Sequence, residues 1–300
     1  MVMHRKHLVA VVAMAFALLL SACGTNGSAS APAGQVLQDS FNAMKQLKAV
    51  HVDMKFSGGL NFGTTSSTTT TQPITINLTG NGDVVMPDKD IVHLDMGQGN
   101  SLSEITLGKQ VYVQNAKGQW YVLDASTFKG SAQNPFTSMN TANYNNLLKV
   151  AQKATLTDHG EQTLNGQSLR HITVAFGKDA LKDLLNATGE TGKLSAAQQQ
   201  HLDTLMNNIK LVNPTLDVWI DDATHYVHRM ELKFSLNIDT SSLKMLKTPT
   251  SSTSSMPGNI STNVDAIIDY SKFNESITIS APTNAIPTSN LSPIFSGITH

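Results

Sequence analysis

Histidine, carboxylate and thiol groups build most catalytic and metal sites, and this 300-residue chain holds ten histidines, 22 acidic residues and one cysteine. The densest grouping is DVWIDDATHYVHRME, which carries Asp217, Asp221, Asp222, His225, His228 and Glu231, with Asp239 downstream. On a helix, His225 and His228 would share one side and could hold a transition metal. The segment instead alternates as a strand does, and there residues three apart face opposite ways. No metal site is therefore expected: the histidines read as exposed strand and turn residues, and the acids as solvated rather than as a general acid–base pair. The stretch GQSLR (166–170) lacks the second glycine of a nucleophile elbow and lies in a hairpin pattern rather than at a strand-to-helix turn. GQGNSL (97–102) imitates a dinucleotide loop for three residues, and no helix follows. There is no P-loop. Nothing here points to an enzyme, and an envelope hydrolase working through one Asp or His stands as a remote third reading.

The single cysteine has a more specific setting. Arg5 and Lys6 precede the uncharged run Leu8–Leu20, then come Ser21, Ala22 and Cys23. Thirteen apolar residues are too few to cross a bilayer, which takes about 20, but they fit the core of a secretory signal. Leu20-Ser21-Ala22-Cys23 resembles the bacterial lipobox. That resemblance implies cleavage between Ala22 and Cys23, a diacylglyceryl thioether on the Cys23 sulfur, and acylation of its amine with a chain such as palmitate. An ordinary secretory signal with an incidental cysteine would read alike as far as Ala22; the order of charge, apolar run, small residues and Cys favours the lipobox. Two or three acyl chains hold a protein on a bilayer stably. The expected location is thus the outer face of the cell membrane, anchored rather than spanning. No cofactor is expected besides the covalent lipid.

Removing residues 1–22 leaves nineteen basic and 22 acidic residues, a net charge of −3, which does not suit nucleic acid. Charged residues make up 14% of the chain, against about 25% in ordinary globular proteins. With Cys23 the only cysteine, no intramolecular disulfide can form.

The elements that would carry any site follow from periodicity. Residues 23–34 read as the lipidated cysteine and a Gly/Ser/Ala tether. Gln35–Lys48 places Val36, Leu37, Ser40, Phe41, Met44 and Leu47 along one helical stripe. The period then drops to two: Val50, Val52, Met54 and Phe56 alternate with His51, Asp53 and Lys55. Further strands are read in ITINLTG (74–80), IVHLDMG (91–97), LSEITLG (102–108), QVYVQN (110–115) and QWYVLD (119–124), with Met86–Asp90 as a turn. Thr64–Gln72 is a low-complexity insert. A helix is expected near 136–154, through Tyr144, Leu147, Leu148 and Ala151. A hairpin is centred on Asn165-Gly166. Helical segments follow over 178–210, interrupted at 189–192, with Ser195 as a cap and Leu202, Leu205, Met206 and Ile209 as a stripe. Strands resume from 215, break at a Ser/Thr-rich loop over 240–262, and continue to Pro282. The tail 283–300 is expected to be irregular. One antiparallel sheet folded over interior helices, an α+β domain over 35–282, accounts for this order.

Four stretches carry a family resemblance. VWIDDATHYVHRMEL (218–232) resembles a strand–turn–strand of LolA-like proteins, with His225 and Val227 where glycine and proline are common. YSKFNESITISAP (270–282) is similar to the closing strand of LppX/LprG-type lipoproteins. The opening helix running into LKAVHVDMKF, and GNGDVVMPDKDIVHLDM, are similar to their first elements. The resemblance implies a strongly curved antiparallel half-barrel wrapped around amphipathic helices, with an apolar cavity that holds acyl chains in transit. Phe41, Met44, Met54, Phe56, Met96, Met230, Leu232 and Phe234 are the candidate lining, although side chains of this kind are plain core more often than cavity wall. The function implied is a non-enzymatic, membrane-anchored lipid carrier, expected to be monomeric. A surface-anchored sensor or interaction domain with a filled interior and protein partners is the alternative.

Overall fold

The computed structural model describes residues 31–63, 73–124, 148, 151–180, 195–239 and 259–289. The lipobox Leu20–Cys23, most of the tether, the insert Thr64–Gln72, most of the helix expected near 136–154, residues 181–194, the loop over 240–258 and the end of the tail lie outside the described residues.

The stripe read in the first helix forms α1, Ala33–Met44, and Val36, Leu37, Ser40, Phe41 and Met44 are its buried side. It begins two residues earlier than expected, just after Pro32, and ends four earlier. Beyond Met44 the backbone tightens, with Gln46 N bonding Ala43 O at 3.0 Å and Leu47 N bonding Met44 O at 3.3 Å. That turn still tucks Leu47 into the core at 4% exposure.

Six strands follow in a meander: β1 (Ala49–Gly63), β2 (Ile74–Val85), β3 (Lys89–Asp95), β4 (Ser101–Leu107), β5 (Gln110–Gln114) and β6 (Trp120–Asp124). The hairpin of β7 (Thr155–Leu164) and β8 (Gln167–Ala175) turns at Asn165 and Gly166, with φ of 52° and 82°. Two consecutive positive φ values define the tight turn that Asn-Gly favours. The chain continues with α2 (Ala196–Asn208), β9 (Ile209–Ile220), β10 (Val227–Asp239), β11 (Asn259–Ser271) and β12 (Ile286–Pro287).

Three boundaries differ from expectation. β9 starts at Ile209, directly from α2, rather than at 215. β11 starts at Asn259, so Asn259–Thr262 are strand rather than loop. The stretch Tyr270–Pro282 is not a closing strand. β11 ends at Ser271, left-handed Lys272 (φ 51°) and Asn274 (φ 58°) turn the chain aside, and residues 275–285 join no ladder. The backbone at Asn274 instead bonds Ala49 O at 2.8 Å.

The turn between β9 and β10 shows why glycine suits one of its positions. Asp221 Oδ1 accepts from Ala223 N at 2.7 Å and Thr224 N at 3.0 Å, and the loop then returns through His225 at φ 59°. A left-handed backbone costs a residue with a Cβ more than it costs glycine, and His225 holds the conformation within this hydrogen-bonded turn.

The strands form one sheet in the order β12-β6-β5-β4-β3-β2-β1-β11-β10-β9-β8-β7. Every neighbouring pair is antiparallel except the two-residue β12–β6 contact. The ends of that order, β12 and β7, are not bonded to each other, so the sheet stays open. A single buried cluster joins Val36, Leu37, Phe41 and Met44 of α1 to strands from β3 (Val92) to β8 (Ile172, Val174). Seven flat strands would span about 29 Å, far beyond the reach of one helix about 10 Å across. The sheet therefore curves around α1, and no side chain on β2 at Gly80 or Gly82 obstructs the bend. At Gly82 an added Cβ would collide with the Ile91 carbonyl.

Phe41, 1% exposed, is the largest fully buried side chain of the core. Phe41→Ala should cost about 3–5 kcal/mol, a fall in Tm on the order of 10 °C by thermal unfolding. A shift under about 3 °C would mean that α1 does not hold the sheet's curvature.

Candidate functional site

Because side chains alternate along a strand, the paired registers fix which residues share the concave face. One row across the sheet runs Leu94, Gly80, Met54, Ile268, Met230, Val218, Ile172. The next, about 7 Å further along, runs Leu78, Phe56, Ala266, Leu232, Leu216, Val174, Leu156. Two more rows follow, through Ile76, Gly58, Val264 and Phe234, then through Ile74, Leu60, Thr262 and Leu236.

Burial along this wall falls furthest on β2. Met54 and Met230 are 9% and 8% exposed and belong to the cluster around α1, as do Phe41 and Met44. Phe56, Leu232 and Phe234 are half-buried. Ile76 and Ile74, on the same face, are 52% and 50% exposed. The apolar wall thus continues past the filled core for at least two rows.

Met96 stands elsewhere. β3 stops at Asp95, and Gly97, Gln98 and Gly99 all take left-handed backbones in the connection that follows. Met96 sits in that connection at the surface, 38% exposed, rather than continuing the alternation of Val92 and Leu94.

The opposite face is polar. Arg229 grips Asp269 with two bonds of 2.6 and 2.8 Å, and Lys233 pairs with Glu231 at 2.5 Å. Rings of His159, His171 and Trp219 stack at 4.5 and 4.3 Å, while His171 Nε2 lies 2.9 Å from Asp217 Oδ1. His225 is an exposed turn residue and His228 a strand residue, so the His-x-x-His pair does not converge. No group of three or more metal-ligating side chains occurs among the described residues.

A sequence profile of the LppX_LprAFG lipoprotein family matches residues 32–279. The chain belongs to that family. Among solved structures it is similar to the lipoprotein LppX of Mycobacterium tuberculosis, at 16% identity over 82% of this chain and 97% of that one, TM-score 0.37. It is similar to LprF of Mycobacterium bovis at 14% identity over 84% and 96%, TM-score 0.43. A LolA superfamily protein of Nitrosomonas europaea aligns at 7% identity over 83% and 96%, TM-score 0.25. No curated protein sequence matches this chain. No helix among the described residues is long and apolar enough to cross a membrane.

One feature of the concave face differs from the sequence expectation. Asp90, expected in a turn, lies two positions before Val92 and is buried on the same face, at 2% exposure. Glu104 is the cross-strand partner of Val92, and Thr106 that of Asp90. These three polar residues form a seam between the main cluster and a second one built on Val111, Val113 and Leu123. The signal was present: Asp90, Val92 and Leu94 share one alternation, and the strand needed only to be extended by two residues.

Burial, and then the charge of Glu104, lifts the Asp90 carboxyl from 3.8 to about 6, against a hydrogen bond from Thr106 that lowers it. The folded state therefore binds this proton more tightly than the unfolded chain. The contribution of this group to stability is greatest below pH 4 and is lost as pH rises through 6, by up to about 3 kcal/mol. Asp90→Asn removes that dependence. Urea unfolding should show the variant's stability relative to the unsubstituted protein rising by up to about 3 kcal/mol between pH 4 and pH 7.5; a constant difference would contradict the assignment.

Proposed function

We propose that this chain is a membrane-anchored lipoprotein that carries a lipid or acylated molecule on its concave wall without chemical conversion, and that Cys23 bears the anchor. The observation that carries this reading is the exposure of Ile74 and Ile76 on the face that buries Met54 and Met230. Large apolar side chains on a concave surface lose free energy to water until something apolar covers them. An acyl chain gains about 0.8 kcal/mol per buried CH₂, less the ordering cost of binding. Such recognition needs no charged group, which accords with the apolar rows through Phe56, Leu232 and Phe234. Membership of a lipoprotein family supports the anchor, as does the lipobox pattern at Leu20–Cys23.

Residues from Ala33 onward form one compact unit, so the body can be tested without its anchor. Residues 24–300, extracted after purification, should yield co-purified lipid by mass spectrometry, and the stripped protein should take up a fluorescent fatty acid. Ile76→Glu puts a carboxylate where an acyl chain would have to desolvate it. Because Ile76 is half exposed, the variant should fold normally and bind the probe at least tenfold more weakly. Clean protein and no uptake would defeat the carrier reading in favour of a surface-anchored interaction domain. Equal uptake by the Ile76→Glu variant would move the site off this wall.

A further inference from the structure

A pocket of about 650 Å³ opens at the end of the sheet where the β7–β8 hairpin, the β9–β10 turn and the end of β11 meet. Its volume is in the range that holds small ligands. Aromatic rings form part of its lining. Tyr226 stacks on Phe273 at 4.8 Å, and His228 meets Phe273 edge-on at 5.0 Å. The hairpin adds Leu164 and Leu169 with the amides of Asn165 and Gln167.

Four carboxylates line the same pocket: Asp53, Asp221, Asp269 and Glu275. Arg229 holds Asp269, and Lys272 is the one lysine or arginine in the lining. Two negative charges are left without a balancing cation among these groups. Asp221 spends Oδ1 on the turn backbone. Asp53 and Glu275 stand exposed at the rim, and Asp53 Oδ2 lies 3.5 Å from His51 Nε2. His228 adds no standing charge at neutral pH, because burial lowers its pKa more than the nearby Asp221 raises it.

We infer that this pocket binds an organic cation, an ammonium or guanidinium group carried on an apolar stem. The stacked pair Tyr226 and Phe273 puts aromatic surface in the lining, of the kind that attracts such groups, the unbalanced carboxylates supply the charge, and Leu164 borders the stem. This site involves none of the side chains proposed to touch lipid.

The test uses the full chain in phosphatidylcholine nanodiscs, with empty discs as the blank, and isothermal titration of two probes: spermidine and the peptide acetyl-Lys-Arg-Lys-amide. One-site saturation by either probe is expected. Asp53→Asn combined with Glu275→Gln should weaken it about tenfold, and Thr224→Lys, at another exposed lining position, should weaken it at least as much. Both variants should keep the fluorescent fatty-acid uptake of the unsubstituted protein, which separates this inference from the carrier reading. Tighter binding of spermidine identifies a free small cation as the source; tenfold tighter binding of the peptide identifies side chains of a polypeptide. Heats equal to empty discs, equal affinity in the variants, or preferential binding of inorganic phosphate would overturn the inference.

Discussion

The structure depends on one mismatch of size: α1 must cover the apolar face of a sheet far wider than a helix. Curvature solves part of it. By bending, strands from β3 to β8 bring Val92, Met54, Met230, Val218 and Ile172 into one cluster around Phe41 and its neighbours. Bending cannot shorten the strands, however, and β1 alone runs fifteen residues. Its inner face runs on past Met54 through the half-buried Phe56 and Leu60, while Ile76 and Ile74 on the neighbouring β2 stand exposed. The apolar wall and the filled core are one surface, divided by where α1's buried stripe ends.

The two faces of the sheet divide the remaining chemistry. Charge pairs, the His159–His171–Trp219 stack and the acid-lined pocket involve the outer face and the ends of strands. The concave face is mostly apolar; among the described residues its polar members include Asp90, Glu104 and Thr106 at one side, the Arg170–Asp158 pair at the other, and Thr262 in the outermost row. Burial lifts the Asp90 carboxyl to about 6, the direction a poorly hydrated site imposes. On this account the wall selects cargo by length and shape, and the outer face remains available for partners recognised by charge.

Much of this was legible in the residues, because alternation and helical stripes are local. The opening helix, the early meander and the Asn165-Gly166 hairpin all follow from short-range pattern. The failures have a common cause. Ile209 fits both the stripe after Met206 and the alternation of the next strand, so a helix passing into a strand without a loop left no mark. Asn259–Thr262 look like more of the preceding Ser/Thr-rich loop, yet they pair with the far end of β1. Ile277 and Ile279 alternate as a strand would, but alternation does not supply a partner, and the left-handed residues at 272 and 274 lead the chain off the sheet. Met96 and Asp90 are the same error in opposite directions: the strand ended one residue before the first and began before the second. The extent of exposed wall could not be read at all, since it depends on where the curved sheet places its rows relative to α1.

A photoreactive fatty acid, crosslinked to the purified body and mapped by peptide mass spectrometry, asks most directly whether the exposed rows hold acyl chains. Adducts concentrated on Phe56, Ile76, Leu232 and Phe234, and competed away by unlabelled lipid, are the predicted result. Adducts spread over the outer face around Trp219 and Arg229, or undiminished by competitor, would contradict it.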